Sequence, residues 1–71
     1  MQQVQRQLGA RIRRLREQRG WSQEEFAAVS GLHRTYIGAV ERGEKNLTIS
    51  TMITLAKTLE TTLARLFQGI A

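Results

Sequence analysis

Seventy-one residues suffice for one small domain, and the lack of cysteine together with a single histidine excludes a disulfide framework and a zinc site. Eleven Lys and Arg against six Asp and Glu leave a net charge of +5, an excess that favours an anionic partner. No apolar run approaches the ~20 residues needed to span a bilayer, and the polar start of the chain lacks the apolar region of a secretory signal. One domain over residues 1–71, held in the cytoplasm and away from membranes, is therefore the expectation. A chain this short buries only about 60% of the surface exposed on unfolding, so self-association is the expected supplement to its core.

The pattern predicts helices throughout and no strand. Leu8, Ile12 and Leu15 repeat on one helical face over residues 4–19, and Gly20 follows as a stop. Ser22-Gln23-Glu24-Glu25 fits the capping box that opens a second helix, with Phe26, Ala27 and Val29 as its apolar residues and Ser30-Gly31 at its close. A third helix over residues 33–42 buries Ile37 and Val40 and ends at Gly43. Thr48 is placed to cap a fourth helix whose expected inner face is Ile49, Met52, Ile53, Ala56 and Leu59. Thr62 is placed to cap a short fifth with Leu63, Leu66 and Phe67.

A turn of roughly three residues between the second and third helices forces a steep, close crossing. Ala27 at the crossing and Gly31 in the turn are small enough for it, and Phe26, Leu32, Ile37 and Val40 supply the locking contacts. Residues 23–42 so arranged resemble the helix-turn-helix signature of the Cro/CI (XRE) family of DNA-binding repressors. Trp21-Ser22-Gln23-Glu24-Glu25, Arg34-Thr35-Tyr36-Ile37 and Glu41-Arg42-Gly43 carry the resemblance, which extends over Thr48 to Phe67. Within the family, Leu32-His33-Arg34-Thr35-Tyr36-Ile37 and Asn46-Leu47-Thr48-Ile49 look most like the controller proteins of restriction–modification systems. The resemblance implies an all-α, five-helix lambda-repressor-like domain that binds double-stranded DNA as a homodimer and regulates transcription. Glu60 departs from it, standing after the fourth helix where the family often has glycine.

At ~100° per residue, the face of the third helix opposite Ile37 and Val40 carries Thr35, Gly38, Ala39 and Arg42, flanked by Arg34 and Tyr36. Arg34 has the two-toothed donor geometry for guanine O6 and N7, and Thr35 offers a hydroxyl and a methyl to a base edge. Tyr36 fits either packing or a phosphate contact, and His33 either caps the helix or reads a base. Gly38 costs about 1 kcal/mol relative to alanine in a helix, which either close approach to DNA or simple tolerance of the glycine accounts for. Gln23 opens the second helix at a ready phosphate site, where the resemblance also puts a backbone contact. Lys45 and Asn46 are further backbone candidates. Arg16 and Glu41 flank the buried faces of their helices, and the resemblance pairs them as a structural ion pair.

Leu55 lies outside the expected inner face of the fourth helix, and with Leu63, Leu66, Phe67 and Ile70 it forms the expected dimer interface. Two recognition helices so joined would address half-sites about 10 bp apart on a pseudo-palindromic operator. No Ser/His/Asp set, reactive cysteine or P-loop supports an enzyme, and the absence of a second domain argues against a cofactor or small-molecule effector. The competing reading is an antitoxin-type protein whose main partner is another protein.

Overall fold

The computed structural model describes residues 2–70. Over that span the chain forms α1 (Gln2–Gln18), α2 (Gln23–Ser30), α3 (Arg34–Glu41), α4 (Ile49–Thr58) and α5 (Leu63–Leu66), with no strand among the described residues.

Each helix from α2 onward starts on a side chain that satisfies an otherwise orphaned backbone N–H. Ser22 Oγ accepts from the Glu25 N–H at 3.0 Å, and the Glu25 carboxylate accepts from the Ser22 N–H at 2.8 Å, closing the capping box. Thr48 and Thr62 accept from the N–H groups of Thr51 and Arg65, each at 3.1 Å. Such caps stabilise a helix by about 1 kcal/mol each. His33 belongs with them, because its Nδ1 accepts from the Thr35 N–H at 3.1 Å. The third helix is thus one residue shorter at each end than its expected span, His33 and Arg42 being its caps.

The ends obey one rule. After α3 the Gly43 and Glu44 N–H groups return to the carbonyls of Val40 and Ala39, and after α4 the Glu60 and Thr61 N–H groups return to those of Lys57 and Ala56. This double hydrogen bond requires a left-handed residue in the turn. Gly43 provides it at φ 76°, whereas Glu60, the departure noted in the sequence, adopts φ 55° with a full side chain.

The core is built from Leu8 and Ile12 of α1, Phe26 and Ala27 of α2, Ile37 and Val40 of α3, and Leu55, Ala56, Leu59 and Leu66 from the C-terminal half. α3 is wedged between α1 and α2, α4 closes the core beneath α2, and α5 turns back against α4 and α1. Arg11 secures that return: its guanidinium donates to the Arg65 carbonyl at 2.8 Å and to the Gln68 carbonyl at 2.7 Å.

α4 is rotated from its expected setting. Leu55 is wholly buried, while Ile49 and Ile53 are 68% and 38% exposed. Met52, Leu55, Ala56 and Leu59 recur at i, i+3, i+4 and i+7, a complete inward stripe, and place Ile49 and Ile53 off its edge. Leu55 therefore belongs to the core and not to a dimer interface, and Leu66, also fully buried, leaves that surface with it. Leu63, Phe67 and Ile70 are half-buried and pack against the core from its rim. No helix of the described residues is long and apolar enough to cross a membrane.

Candidate nucleic-acid interface

The site is the outward side of α3 together with the loop that follows it. Arg34 and Thr35 stand exposed on the first turn of α3, and Tyr36 next to them is half-buried with its ring against the core. Arg42 at the far end of α3, and Lys45 and Asn46 in the loop, are exposed. His33, Thr35, Tyr36, Ala39, Arg42, Glu44 and Lys45 line one open concavity. Arg42 and Lys45 bring two cations to it and Glu44 one carboxylate, and the small Ala39 side chain is buried within it.

Two residues of the expected face lie deeper than the helical wheel suggests. Gly38 and Ala39 are both buried. A Cβ at Gly38 would meet the guanidinium of Arg42 at 3.1 Å and the amide oxygen of Gln23 at 3.6 Å, so those side chains roof it over. The missing side chain at Gly38 makes room for Arg42 and Gln23; it does not offer a bare surface.

Beneath the face runs a charged brace. Arg16 of α1 donates from Nε to Glu41 Oε2 at 2.7 Å and from Nη2 to Oε1 at 3.0 Å, while its Nη1 donates to the Trp21 carbonyl at 2.8 Å. The two side chains are only 9% and 3% exposed. The Glu41 hydrogen bonds hold the Arg16 guanidinium above the ordinary arginine range against the opposing effect of burial. Gln23, half-buried at the start of α2, donates its amide to Glu41 Oε1 at 3.1 Å. One carboxylate thereby ties the C-terminal end of α3 to α1 and to the N-terminus of α2. The Gln23 amide that sequence assigned to DNA is committed on its N–H side to Glu41, leaving its oxygen beside Gly38.

The loop after α3 is braced from the first turns of α1. Gln5 hydrogen-bonds the Asn46 side chain, and Gly43 packs so tightly on Arg6 that a Cβ at Gly43 would lie 2.8 Å from the Arg6 Cα. The role of Gln5 left no mark in the pattern. Gly9, whose backbone abuts the Val40 and Glu41 carbonyls at the end of α3, does show in the pattern: a glycine inside a helix asks for a reason as much there as at Gly38.

The helix-turn-helix family profile matches residues 12–66, more than half of the chain. The chain belongs to the helix-turn-helix family, as its resemblance to Cro/CI proteins implied. Within the family it is similar to controller proteins. It is 51% identical over 65 residues to the control protein C.SmaI of Serratia marcescens, an alignment covering 89% of this chain and 77% of that protein. The restriction-modification controller protein C.AhdI of Aeromonas hydrophila superposes with a TM-score of 0.83 at 42% identity, covering 87% of this chain and 94% of that one. The restriction-modification controller protein C.Esp1396I, as a tetramer in complex with its natural 35 base-pair operator, gives a TM-score of 0.83 at 33% identity, covering 94% of this chain and 88% of its own.

Proposed function

We propose that this chain is a sequence-specific, double-stranded DNA-binding transcriptional regulator of the restriction–modification controller kind, acting in the cytoplasm as a homodimer on a pseudo-palindromic operator and carrying out no catalysis. The observation that carries this reading is the first turn of α3, where Arg34 and Thr35 stand exposed on a helix braced from below by the Arg16–Glu41–Gln23 contacts. A rigid helix that presents a guanidinium and a hydroxyl side by side suits the major groove, where guanine offers two acceptors to arginine. The likeness to C.SmaI and to the operator-bound C.Esp1396I supports the same reading.

In this arrangement Arg34 and Thr35 read bases. Tyr36, Arg42, Lys45 and Asn46 border the groove and set the protein against the phosphates, while Gln23 holds Glu41. His33 serves as the cap that aims the helix, and Ala39 as the floor that admits the DNA edge. Self-association uses Ile49 and Ile53 of α4 with the rim residues Leu63, Phe67 and Ile70.

Selection of bound sequences from random duplex DNA, followed by salt titration of the enriched sequence, tests the reading. A two-fold-symmetric site is expected, with affinity falling by about 0.9 log units per log unit of salt for each phosphate contacted. Arg34→Ala and Thr35→Ala each lose about 1 to 3 kcal/mol on that site and little on mixed sequence. Failure to enrich any sequence, with both variants indistinguishable from wild type, overturns it.

A further inference from the structure

The recognition helix ends on a pairing that base reading does not require. Arg42 caps α3, Gly43 reverses the chain in a left-handed turn, and the Glu44 N–H returns to the Ala39 carbonyl at 2.9 Å. That reversal folds the Glu44 carboxylate back onto the Arg42 guanidinium: Nε donates to Oε2 at 2.9 Å and Nη2 to Oε1 at 3.1 Å. Both side chains are exposed, at 59% and 56%. The hydrogen bond to Arg42 holds the Glu44 carboxyl below the usual carboxylate range, and that to Glu44 raises Arg42. The carboxylate lies in the same concavity as Thr35, Tyr36 and Lys45.

A two-toothed carboxylate and a phosphate present the same pair of acceptors to a guanidinium. Resting on the DNA-binding reading above, we propose that Glu44 is a negative determinant of affinity. In the free protein it occupies Arg42 as an internal stand-in for a backbone phosphate, and it must be displaced before Arg42 engages DNA. The exchange breaks one carboxylate–guanidinium pair for each phosphate–guanidinium pair formed, and the freed, exposed Glu44 side chain turns out to solvent. Arg42 then adds little to the grip on arbitrary duplex, and discrimination falls to the base contacts of Arg34 and Thr35.

The test compares the full chain as wild type, Glu44→Gln, Arg42→Ala and the double variant. Each is titrated by fluorescence anisotropy on the operator selected from random duplex and on a mixed-sequence duplex, across a range of salt, after matching thermal melts. Glu44→Gln is expected to bind both duplexes about 2- to 5-fold tighter per protomer, with the log–log salt slope little changed because Arg42 meets the same phosphate in either protein. The double variant is expected to match Arg42→Ala, because Glu44 acts only through Arg42. Unchanged affinity of Glu44→Gln overturns the proposal, as does equal tightening with Arg42 already removed. Weakening confined to the operator overturns it too, since Glu44 would then be contacting a base. A wild type that enriches no sequence and binds no duplex overturns the DNA-binding reading itself, a result separate from the other three.

Discussion

The backbone of Gly9 in α1 lies directly against the carbonyl oxygen of Val40 in α3: a Cβ added at Gly9 would run into that oxygen and stand 2.8 Å from the carbonyl oxygen of Glu41. Both obstacles are main chain and cannot rotate away. Alanine ordinarily gains about 1 kcal/mol over glycine inside a helix, but here the methyl must push two packed helices apart, which costs more, about 2 to 3 kcal/mol net. Gly9→Ala is expected to lower the unfolding free energy by that amount in urea titrations. Gly38→Ala displaces only the mobile tip of Arg42 and should leave stability unchanged or raise it slightly. Equal effects at the two glycines would show that α1 and α3 separate easily.

The Arg16–Glu41 pair makes an asymmetric prediction. Removing one charge leaves the other buried without its partner, so Glu41→Leu alone should destabilise by about 3 kcal/mol or more. Replacing both, as Arg16→Met with Glu41→Leu, should recover much of the loss, because the desolvation of the pair disappears with it. Recovery will be incomplete if the Arg16 bond to the Trp21 carbonyl and the Gln23 bond to Glu41 matter in their own right. Chemical denaturation of the three variants measures the coupling. Purely additive losses would mean the two side chains act independently.

Glu60 holds a left-handed conformation that a side chain adopts at a cost of roughly 1 kcal/mol. Its ion pair with Arg19 is exposed on the glutamate side, at 74%, and is worth little. Glu60→Gly should therefore raise stability by about 1 kcal/mol, seen as a melting temperature higher by roughly 4 to 8 °C for a domain of this size. A lower melting temperature would show that the Arg19 contact outweighs the strain.

α4 separates core from interface. Leu55→Ala should destabilise the monomer by about 2 to 5 kcal/mol through the cavity it leaves. Ile49→Asp and Ile53→Asp change exposed positions and should melt like wild type at concentrations where both are monomeric, while shifting sedimentation equilibrium toward monomer. Unaltered self-association in both aspartate variants would move the interface elsewhere.

The capping residues were legible because their signal is local: Ser22 with Glu25, Thr48 and Thr62 each act within three residues of themselves. The rotation of α4 was not. Its apolar residues spread over nearly half of the helix, so Ile49-Ile53-Ala56 and Met52-Leu55-Ala56-Leu59 both read as a stripe. Only the partner surfaces on α2 and α5 choose between them. The same ambiguity carried Leu55 from the core into an imagined interface. Arg34 and Thr35 could be placed because Ile37 and Val40 fix the phase of α3 from within. The depth of Gly38 depends on the reach of Gln23 from a neighbouring helix, which no single-helix projection contains.

Gly9 and Arg11 stand two residues apart on α1, the one pressed to the end of α3 and the other gripping the carbonyls at the close of α5. A single helix therefore gauges the distance from the reading head to the C-terminal segment, much as the bar of a caliper fixes its jaws. Two such frames, if joined through their C-terminal halves as proposed, would hold their reading heads at a set span and a set phase around the duplex. One base pair inserted between the half-sites turns the second by about 35°. Such an insertion should cost the dimer the base contacts of one half-site, since a rigid frame that holds one helix in register sets the other one base pair out of register in the same groove.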